Sequence, residues 1–425
     1  MMISLRRAAS RFFVGLFIIS SQAAFAEPQN TTNSLHIHVD AARSGAAGDS
    51  GRAIEYGIRV ALESLDDKLG DCPVSVIVAD HRGSSVRSKR NLEKFLDDPR
   101  GVAVFSGLHS PPILAHRDFI NASGILLLNP WAAAGPITRT SARPNWIFRL
   151  SVDDYVSGEA IVKAASTHNG NIRAGLLLEQ TGWGDSNLET MRRALQDRNL
   201  EPVSLQRFSW GIGSARAAAM MANFLNADVN TVFMVANVEE GAQFVRAMAD
   251  LPADKRIPIY SHWGITGGGF VDLAGADALR KVDLRVLQTR FSFLSGEPSN
   301  YARSRFEMLQ DLEPSIRDYK DLKPVSGFAH AHDLTLLLNQ AAQDIKCSDP
   351  VASIRYKIRN NLEKLHTPIR GLVKTYLHPF SATKVNGDSS HEALSIDDLT
   401  LGRFGNTGEI YLEEQPRHHS VYMQP

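Results

Sequence analysis

The sequence predicts an α/β protein with two parallel sheets, each flanked by helices. Short apolar segments of strand length alternate along the chain with longer segments of helical periodicity. Residues 102–108 and 125–128 are two such strands, and the segment between them has near-helical spacing, so together they form a β-α-β unit. The same alternation begins again after residue 150, which predicts the second sheet.

The first half of the chain contains five predicted strands. Residues 35–39 alternate in polarity, 73–80 follow a turn, and 146–150 form a crossover to the second half. The helices between them are predicted at 52–69, at 84–96 and from Ser110 onward. Pro111 and Pro112 suit a first helical turn because they lack the N–H groups that stay unpaired there.

The second half repeats this order of helices and strands and ends in a helical region. The predicted helices are 155–167, 186–198, 215–225, 239–249, 299–311, 326–346 and 351–365. The predicted strands are 174–178, 203–208, 231–235, 257–260, 284–293, 372–377 and 409–412.

The amino terminus predicts export from the cytoplasm. Arg6, Arg7 and Arg11 precede an apolar run at 12–19, and a small-x-small pattern follows at 24–26. We expect residues 1–26 to be a Sec signal peptide and the protein to be periplasmic. The alternative is an uncleaved anchor, although the apolar run is short for a membrane span.

Charge and cysteine content narrow the possible partners. Lys+Arg and Asp+Glu both number 46, and no basic block is present, so nucleic acid is not an expected partner.

Cys72 and Cys347 are the two cysteines, which cannot form a structural zinc site alone. In an oxidising compartment we expect a disulfide, with two buried free thiols as the alternative.

Histidine clusters do not predict a metal site. His36 and His38 lie on one face of the first strand, but no third ligand lies nearby in the sequence, so packing or surface roles are expected. His330, His332 and Asp333 do not share one helix face, which favours helix-cap or surface roles. No metal and no cofactor are predicted.

Loops that follow the strands predict a binding site at one edge of each sheet. Ser110 opens a helix there, so its hydroxyl either contacts a ligand or caps the helix. In the second half, the loops at 179–185, 236–239 and 261–264 face one such edge. Glu179 and Asp185 could form a catalytic carboxylate pair, but solvated loop acids are the simpler interpretation.

Several motifs together resemble the type I periplasmic binding proteins of the leucine/isoleucine/valine-binding family. Their order and spacing cover nearly the whole chain after residue 34. They lie at 44–46, 106–110, 124–130, 181–184 and 331–338. The resemblance implies two Rossmann-like lobes that are joined by three crossovers and close on a ligand.

The resemblance also implies the boundaries of the lobes. The amino-terminal lobe would comprise 34–148 and 292–373, and the carboxyl-terminal lobe 149–291 and 374–413, followed by a tail at 414–425. Cys72 and Cys347 then fall in the same lobe, which supports their pairing.

The ligand contacts implied by the family transfer unevenly to this chain. Ser110 matches a serine that receives an amino-acid carboxylate, beside Leu108 and His109. Ala133 stands in place of a threonine after Trp131 and Ala132. In the other lobe, Trp183 matches an aromatic cover, Asn237 or Val238 replaces a tyrosine, and Trp263 replaces an acid.

The replacement at Trp263 changes the expected ligand. A buried ammonium needs an opposite charge or several hydrogen bonds, which Trp263 does not supply. Asp49, Glu239 and Glu240 could compensate. Trp131, Trp183 and Trp263 otherwise form an aromatic wall for a planar, amide-bearing or apolar ligand, unless one or two of them belong to the core.

These observations favour a monomeric periplasmic solute-binding protein that serves an inner-membrane ABC permease. The alternative is a sensory module that docks to a periplasmic sensor domain. An enzyme is less favoured because no nucleophile elbow, zinc-protease motif or Walker loop is present.

Overall fold

The computed structural model describes residues 34–382 and 391–413. The predicted signal peptide and the predicted tail lie outside these residues. Within the described residues, no helix has both the length and the apolar character needed to cross a bilayer.

The described residues form twelve α-helices and fifteen strands. The strands are β1 Leu35–Ala41, β2 Lys68–Leu69, β3 Cys72–Asp80, β4 Gly101–Ser106, β5 Leu127–Asn129, β6 Ile147–Arg149, β7 Ala174–Glu179, β8 Ser204–Phe208, β9 Thr231–Val235, β10 Ile259–Ser261, β11 Leu284–Thr289, β12 Ile369–Arg370, β13 Thr375–Tyr376, β14 Leu399–Phe404 and β15 Ile410–Leu412. The helices are α1 Gly48–Glu63, α2 Ser85–Asp97, α3 Ser110–Ala122, α4 Asp154–His168, α5 Gly182–Gln196, α6 Ser214–Asn226, α7 Val238–Ala249, α8 Phe270–Ala274, α9 Ala276–Lys281, α10 Asn300–Leu312, α11 Val325–Ala341 and α12 Val351–Leu362.

Two large sheets organise these elements, as predicted. The first has the order β2-β3-β1-β4-β5-β6 and the second the order β15-β14-β11-β10-β9-β7-β8. Strands β4, β7 and β9 are buried along their whole length, because helices cover both faces of each sheet. We call each sheet with its packed helices a lobe: α1–α3 and α10–α12 belong to the first lobe, and α4–α9 to the second.

The strand order reverses at one point in each sheet. In the first sheet β1 lies between β3 and β4, and in the second sheet β7 lies between β8 and β9. Loops that leave the sheet at such a reversal diverge and open a crevice at the carboxyl ends of the strands. The topology therefore places a crevice beside the loops after β1, β3 and β4, and another beside the loops after β7, β8 and β9.

Several elements differ from the prediction. The first helix ends at Glu63 rather than at residue 69, because Asp66 and Asp67 have positive φ and turn the chain into β2. The predicted strand at 372–377 reduces to β13, which pairs with β12 outside the two large sheets. Strand β14 was not predicted, because it is stabilised by antiparallel pairing with β11, which is distant in the sequence.

The surface role expected for the α11 histidines is wrong. His330, His332 and Asp333 are all fully buried. His330 Nδ1 bonds the carbonyl of Pro130 at 2.8 Å. The Asp333 carboxylate accepts hydrogen bonds from the backbone N–H groups that follow β12 and from the Tyr376 hydroxyl. Because the β12–β13 hairpin covers this face of α11, polar side chains are needed there to satisfy buried backbone groups.

A buried arginine holds the connection between the lobes. Arg149 is the last residue of β6 and is fully buried. Its guanidinium donates to the carbonyls of Ala133 at 2.8 Å and Ala134 at 3.0 Å, and to the Thr138 hydroxyl at 2.7 Å. The carboxylates of Asp153 and Glu392 lie within 3.9 Å of it. One side chain thus fixes both the loop after β5 and the start of the second lobe.

Cys72 and Cys347 form a disulfide in the structure. Cys72 begins β3 and Cys347 follows α11, with their Cα atoms 5.3 Å apart. The bond joins the sheet of the first lobe to its last helices, across a sequence separation of 275 residues.

We expect Arg149→Met to destabilise the protein by about 3–5 kcal/mol, because buried carbonyls and carboxylates lose their donor. Denaturant unfolding measures this free energy. Arg280→Met is the control, since Arg280 pairs with Asp277 at the surface and its loss should cost under about 0.5 kcal/mol. Equal costs for the two variants would contradict the structural role of Arg149.

We expect unfolded, unreduced protein from an oxidising compartment to contain no reactive thiol, and two thiols after reduction. Oxidised protein should be more stable than reduced protein by about 2–4 kcal/mol, since the bond restricts the unfolded chain. Thiol titration and parallel denaturant curves measure both quantities. Two thiols before reduction would show that the pair is not bonded.

Candidate functional site

A cavity opens between the two lobes at the carboxyl ends of their strands. Its volume is about 390 Å³, and loops after β1, β3 and β4 face loops after β8 and β9 across it. The lining includes Arg82, His109, Trp210, Asn237 and Glu240. The cavity therefore lies where the strand reversals in both sheets place a crevice.

A second cavity of about 570 Å³ adjoins the first. The two share Gly45, Ala46 and Glu239 in their walls, so they form neighbouring parts of one cleft. The second cavity also contains Asp49, which forms an ion pair with Arg52.

The lobes touch directly at the inner side of this cleft. The Ser50 N–H of α1 donates to the Gly267 carbonyl at 2.9 Å, and the Gly135 N–H donates to Ser186 Oγ at 3.1 Å. A Cβ at Gly268 would lie 2.0 Å from the Ala46 carbonyl oxygen. A glycine is needed at this position because the two backbones approach too closely for any side chain.

Three aromatic side chains form a row across the cleft. The rings of His81 and His109 lie 6.0 Å apart between centroids, and His109 lies 5.6 Å from Trp210 of the second lobe. Trp210 is 41% exposed, whereas His81 is buried. Part of the indole surface is thus open to the cavity, while the two histidines support it from the first lobe.

Burial lowers the pKa of both histidines in this row. The pKa of His109 falls to about 3, and its neighbour His81 adds a smaller effect in the same direction. Desolvation also lowers the pKa of His81. Both rings are therefore neutral at neutral pH. His109 Nδ1 is buried and has no hydrogen-bond partner among the described residues, so it can bond a ligand group.

A buried carboxyl group holds the tryptophan in place. Glu179 Oε2 accepts from the Trp210 indole N–H at 3.1 Å and from Asn237 Nδ2 at 2.9 Å. Thr181 Oγ1 lies 2.5 Å from the other oxygen of Glu179. Desolvation raises the pKa of Glu179 to about 7. The expectation that Glu179 is a solvated loop acid is wrong, because this side chain is fully buried at the end of β7.

Three of the predicted site residues line the cleft. His109 and Asn237 lie in the first cavity and Asp49 in the second, together with Glu239 and Glu240, which were considered as compensating acids. Glu240 Oε1 accepts from the Gly211 N–H at 2.8 Å and so holds the loop that carries Trp210.

Four other predicted site residues, Leu108, Ser110, Ala132 and Ala133, do not line these cavities. Ser110 is buried, lies inside α3 rather than at the cap position, and its hydroxyl accepts from the Ala134 N–H at 3.2 Å. The carbonyls of Ala132 and Ala133 accept from Asn129 and Arg149. Leu108 is buried against Gly267. These groups bond the protein itself, because the buried Arg149 draws the loop after β5 inward.

The three tryptophans of the predicted aromatic wall do not line these cavities. Trp131, Trp183 and Trp263 are 0%, 5% and 1% exposed. Trp131 packs edge-on against Trp263 at 6.4 Å, and the Trp183 indole N–H donates to Asp154 at 3.2 Å. All three fill the contact between the lobes, where large apolar rings gain most from burial.

Trp210 and His81 were missed by the sequence analysis. Trp210 follows the predicted strand at 203–208, and His81 follows the strand at 73–80. The rule that ligands meet the carboxyl ends of strands applies to both loops and would have found them. What the rule does not give is which tryptophan remains exposed, because that depends on packing between the lobes.

Known proteins share this fold. The family model described as "Periplasmic binding protein" matches residues 37–301. A search of curated proteins found no match.

Solved structures resemble the chain over most of its length. A type 1 periplasmic binding protein from Bordetella pertussis Tohama I has a TM-score of 0.74 at 17% identity, covering 89% of this chain and 99% of that one. An ABC-transporter solute-binding protein from R. palustris, in complex with benzoate, has a TM-score of 0.72 at 16% identity, covering 89% and 95%.

The branched-chain amino acid binding protein LivJ from Streptococcus pneumoniae, in complex with isoleucine, has a TM-score of 0.68 at 18% identity and covers 89% and 97%. At these identities the likeness shows the fold alone. The family model spans more than half of the sequence, and the chain therefore belongs to the periplasmic binding protein family.

Proposed function

We propose that this protein captures a small solute in the cleft between its lobes and delivers it to an inner-membrane ABC permease. The main observation that supports this proposal is the cavity of about 390 Å³, whose walls come from strand-end loops of both lobes. This volume suits a small molecule. A ligand that contacts both walls favours the state in which the lobes lie together, which is the basis of a population shift.

The side chains of the cavity favour a ligand with a flat apolar part and a polar group. The exposed face of Trp210 offers a stacking surface, and Glu179 fixes the ring from behind through the indole N–H. Asn237 and His109 supply polar atoms beside it. Benzoate, which the R. palustris protein binds, has this chemistry, whereas isoleucine, which LivJ binds, carries an ammonium group.

Similarity to known binding proteins supports a binding role for this protein rather than a catalytic one. The family and the similar structures are binding proteins. Glu179 does not reach the cavity wall, since its two oxygens are engaged by Thr181, Trp210 and Asn237. We therefore assign Glu179 a positioning role and expect no turnover of the bound solute.

We expect Trp210→Ala to weaken binding of the solute by about 30-fold, because a central tryptophan commonly contributes about 2 kcal/mol or more. The solute is first identified by mass spectrometry of denatured, freshly purified protein, with benzoate and isoleucine as starting probes. Titration calorimetry then measures affinity, and X-ray scattering measures compaction.

Tyr411→Ala is the matched control, since Tyr411 is a similarly exposed aromatic residue on β15. The Tyr411→Ala variant should bind the solute with the same affinity as the unaltered protein. If no compound in a metabolite panel both raises the melting temperature and compacts the protein, the proposed capture is wrong.

We expect Glu179→Gln to alter how stability depends on pH. The folded pKa of about 7 exceeds the ordinary value of 4.5, so folded protein binds a proton that unfolded protein releases between these pH values. The stabilisation from this group is complete below about pH 4.5 and is lost as the pH rises through 7, by up to about 3 kcal/mol.

Glutamine mimics the neutral acid and does not titrate. The difference in unfolding free energy between the two proteins should therefore change across pH 5–8, with the glutamine variant relatively more stable at high pH. Denaturant curves at four pH values measure this. His81 and His109 titrate in both proteins and cancel in the difference, and a constant difference would contradict the raised pKa.

A further inference from the structure

Two histidines and an aspartate converge at the edge of the first sheet that lies away from the cleft. His36 and His38 are two residues apart on β1 and so share one face. Asp98 follows α2, just before β4 begins. Its Oδ2 lies 2.8 Å from His36 Nδ1 and 2.7 Å from His38 Nε2.

We propose that His36, His38 and Asp98 bind a divalent transition-metal ion such as Zn²⁺. Across residues 34–382 and 391–413, this group alone brings three or more candidate donor side chains together, with all donor atoms within 4.8 Å of one another. Two imidazole nitrogens and one carboxylate oxygen form a donor set typical of zinc and its neighbours, and atypical of Ca²⁺ or Mg²⁺.

The spacing requires a small adjustment to admit the ion. Two ligands of a tetrahedral zinc lie roughly 3.3 Å apart, given metal–ligand bonds of about 2.0–2.1 Å. The carboxylate oxygen must therefore retreat by about half an ångström from each imidazole. The side chains of His36, His38 and Asp98 are 25%, 12% and 13% exposed, so the ion can enter from solvent and water can supply a fourth ligand.

Neighbouring groups orient two of the three ligands. The Arg100 backbone N–H donates to Asp98 Oδ1 at 2.9 Å, which leaves Oδ2 directed at the histidines. The His38 ring packs edge-on against Phe95, with centroids 5.2 Å apart. Contacts that orient the ligands strengthen metal sites. The positive charge of Arg355 interacts with Asp98 and repels a second cation there, so we expect a moderate affinity for the metal ion.

The proposed site is independent of solute capture. His36 and His38 lie toward the amino end of β1, whereas the loop at its carboxyl end lines the cleft. A bound ion would join β1 to the turn between α2 and β4. Thiolate ligation plays no part, because the two cysteines of the chain form the disulfide.

A second histidine pair provides an internal control. His366 Nδ1 and His378 Nδ1 lie 2.7 Å apart at the surface of the first lobe. This pair is not part of any three-donor group among the described residues. It tests whether two close imidazoles suffice to bind the ion or whether the carboxylate of Asp98 is needed.

The test uses mature, tag-free protein that has been stripped with a chelator, because a histidine tag would bind the ion. Calorimetric titration with Zn²⁺ should show one equivalent bound, and Co²⁺ should give the intense visible absorption of a site with four or five ligands. Zn²⁺ should also raise the melting temperature.

The double variant His36→Asn/His38→Asn should abolish this binding, and Asp98→Asn should weaken it at least tenfold, since even orienting contacts contribute about that much. His366→Asn/His378→Asn should bind as the unaltered protein does. Circular dichroism checks that the variants fold, and the Co²⁺ spectrum of unaltered protein tests the site without any variant.

Binding that persists in the His36/His38 variant, or that is lost in the His366/His378 variant, would overturn the proposal. So would several weak equivalents, or the weak spectrum of hydrated Co²⁺. In these cases the cluster is a hydrogen-bonded trio in which both imidazoles donate to Asp98.

Discussion

The buried guanidinium of Arg149 is the interaction on which the relation between the lobes depends. It lies where the chain leaves the first sheet, and it gathers carbonyl oxygens from the loop after β5 together with Asp153 and Glu392. Burial of an arginine is costly unless hydrogen-bond acceptors and opposite charges lie around its guanidinium. The loop and the start of the second lobe must therefore adopt the positions that satisfy it.

This constraint explains why the open cavities lie farther out than the ligand site that the family resemblance implied. The groups around Ser110 and Ala133 bond the loop that Arg149 holds, and Trp131 packs against Trp263 between the lobes. The inner part of the crevice is thus filled by side chains of the protein. The open space lies beside Trp210, where the indole is fixed by Glu179 and faced by His109.

Two acidic side chains, Glu179 and Asp98, have different partners and therefore different properties. At the cleft, Glu179 is surrounded by neutral donors, so desolvation raises its pKa and no cation offsets the cost. At the opposite edge, Asp98 is bonded by His36 and His38, and these contacts lower the pKa of its carboxyl although desolvation opposes them. The first group positions Trp210, and the second supplies the donors on which the proposed metal site depends.

The two-sheet fold could be predicted from the sequence alone, since buried parallel strands are continuous apolar runs and the helices between them are amphipathic. The sequence also predicted that loops at the strand ends form the site, and His109 and Asn237 from two of these loops line the cavity. The sequence did not reveal which tryptophan is exposed or which distant aspartate contacts His36 and His38. These depend on packing between segments far apart in the chain, and local periodicity carries no information about such contacts.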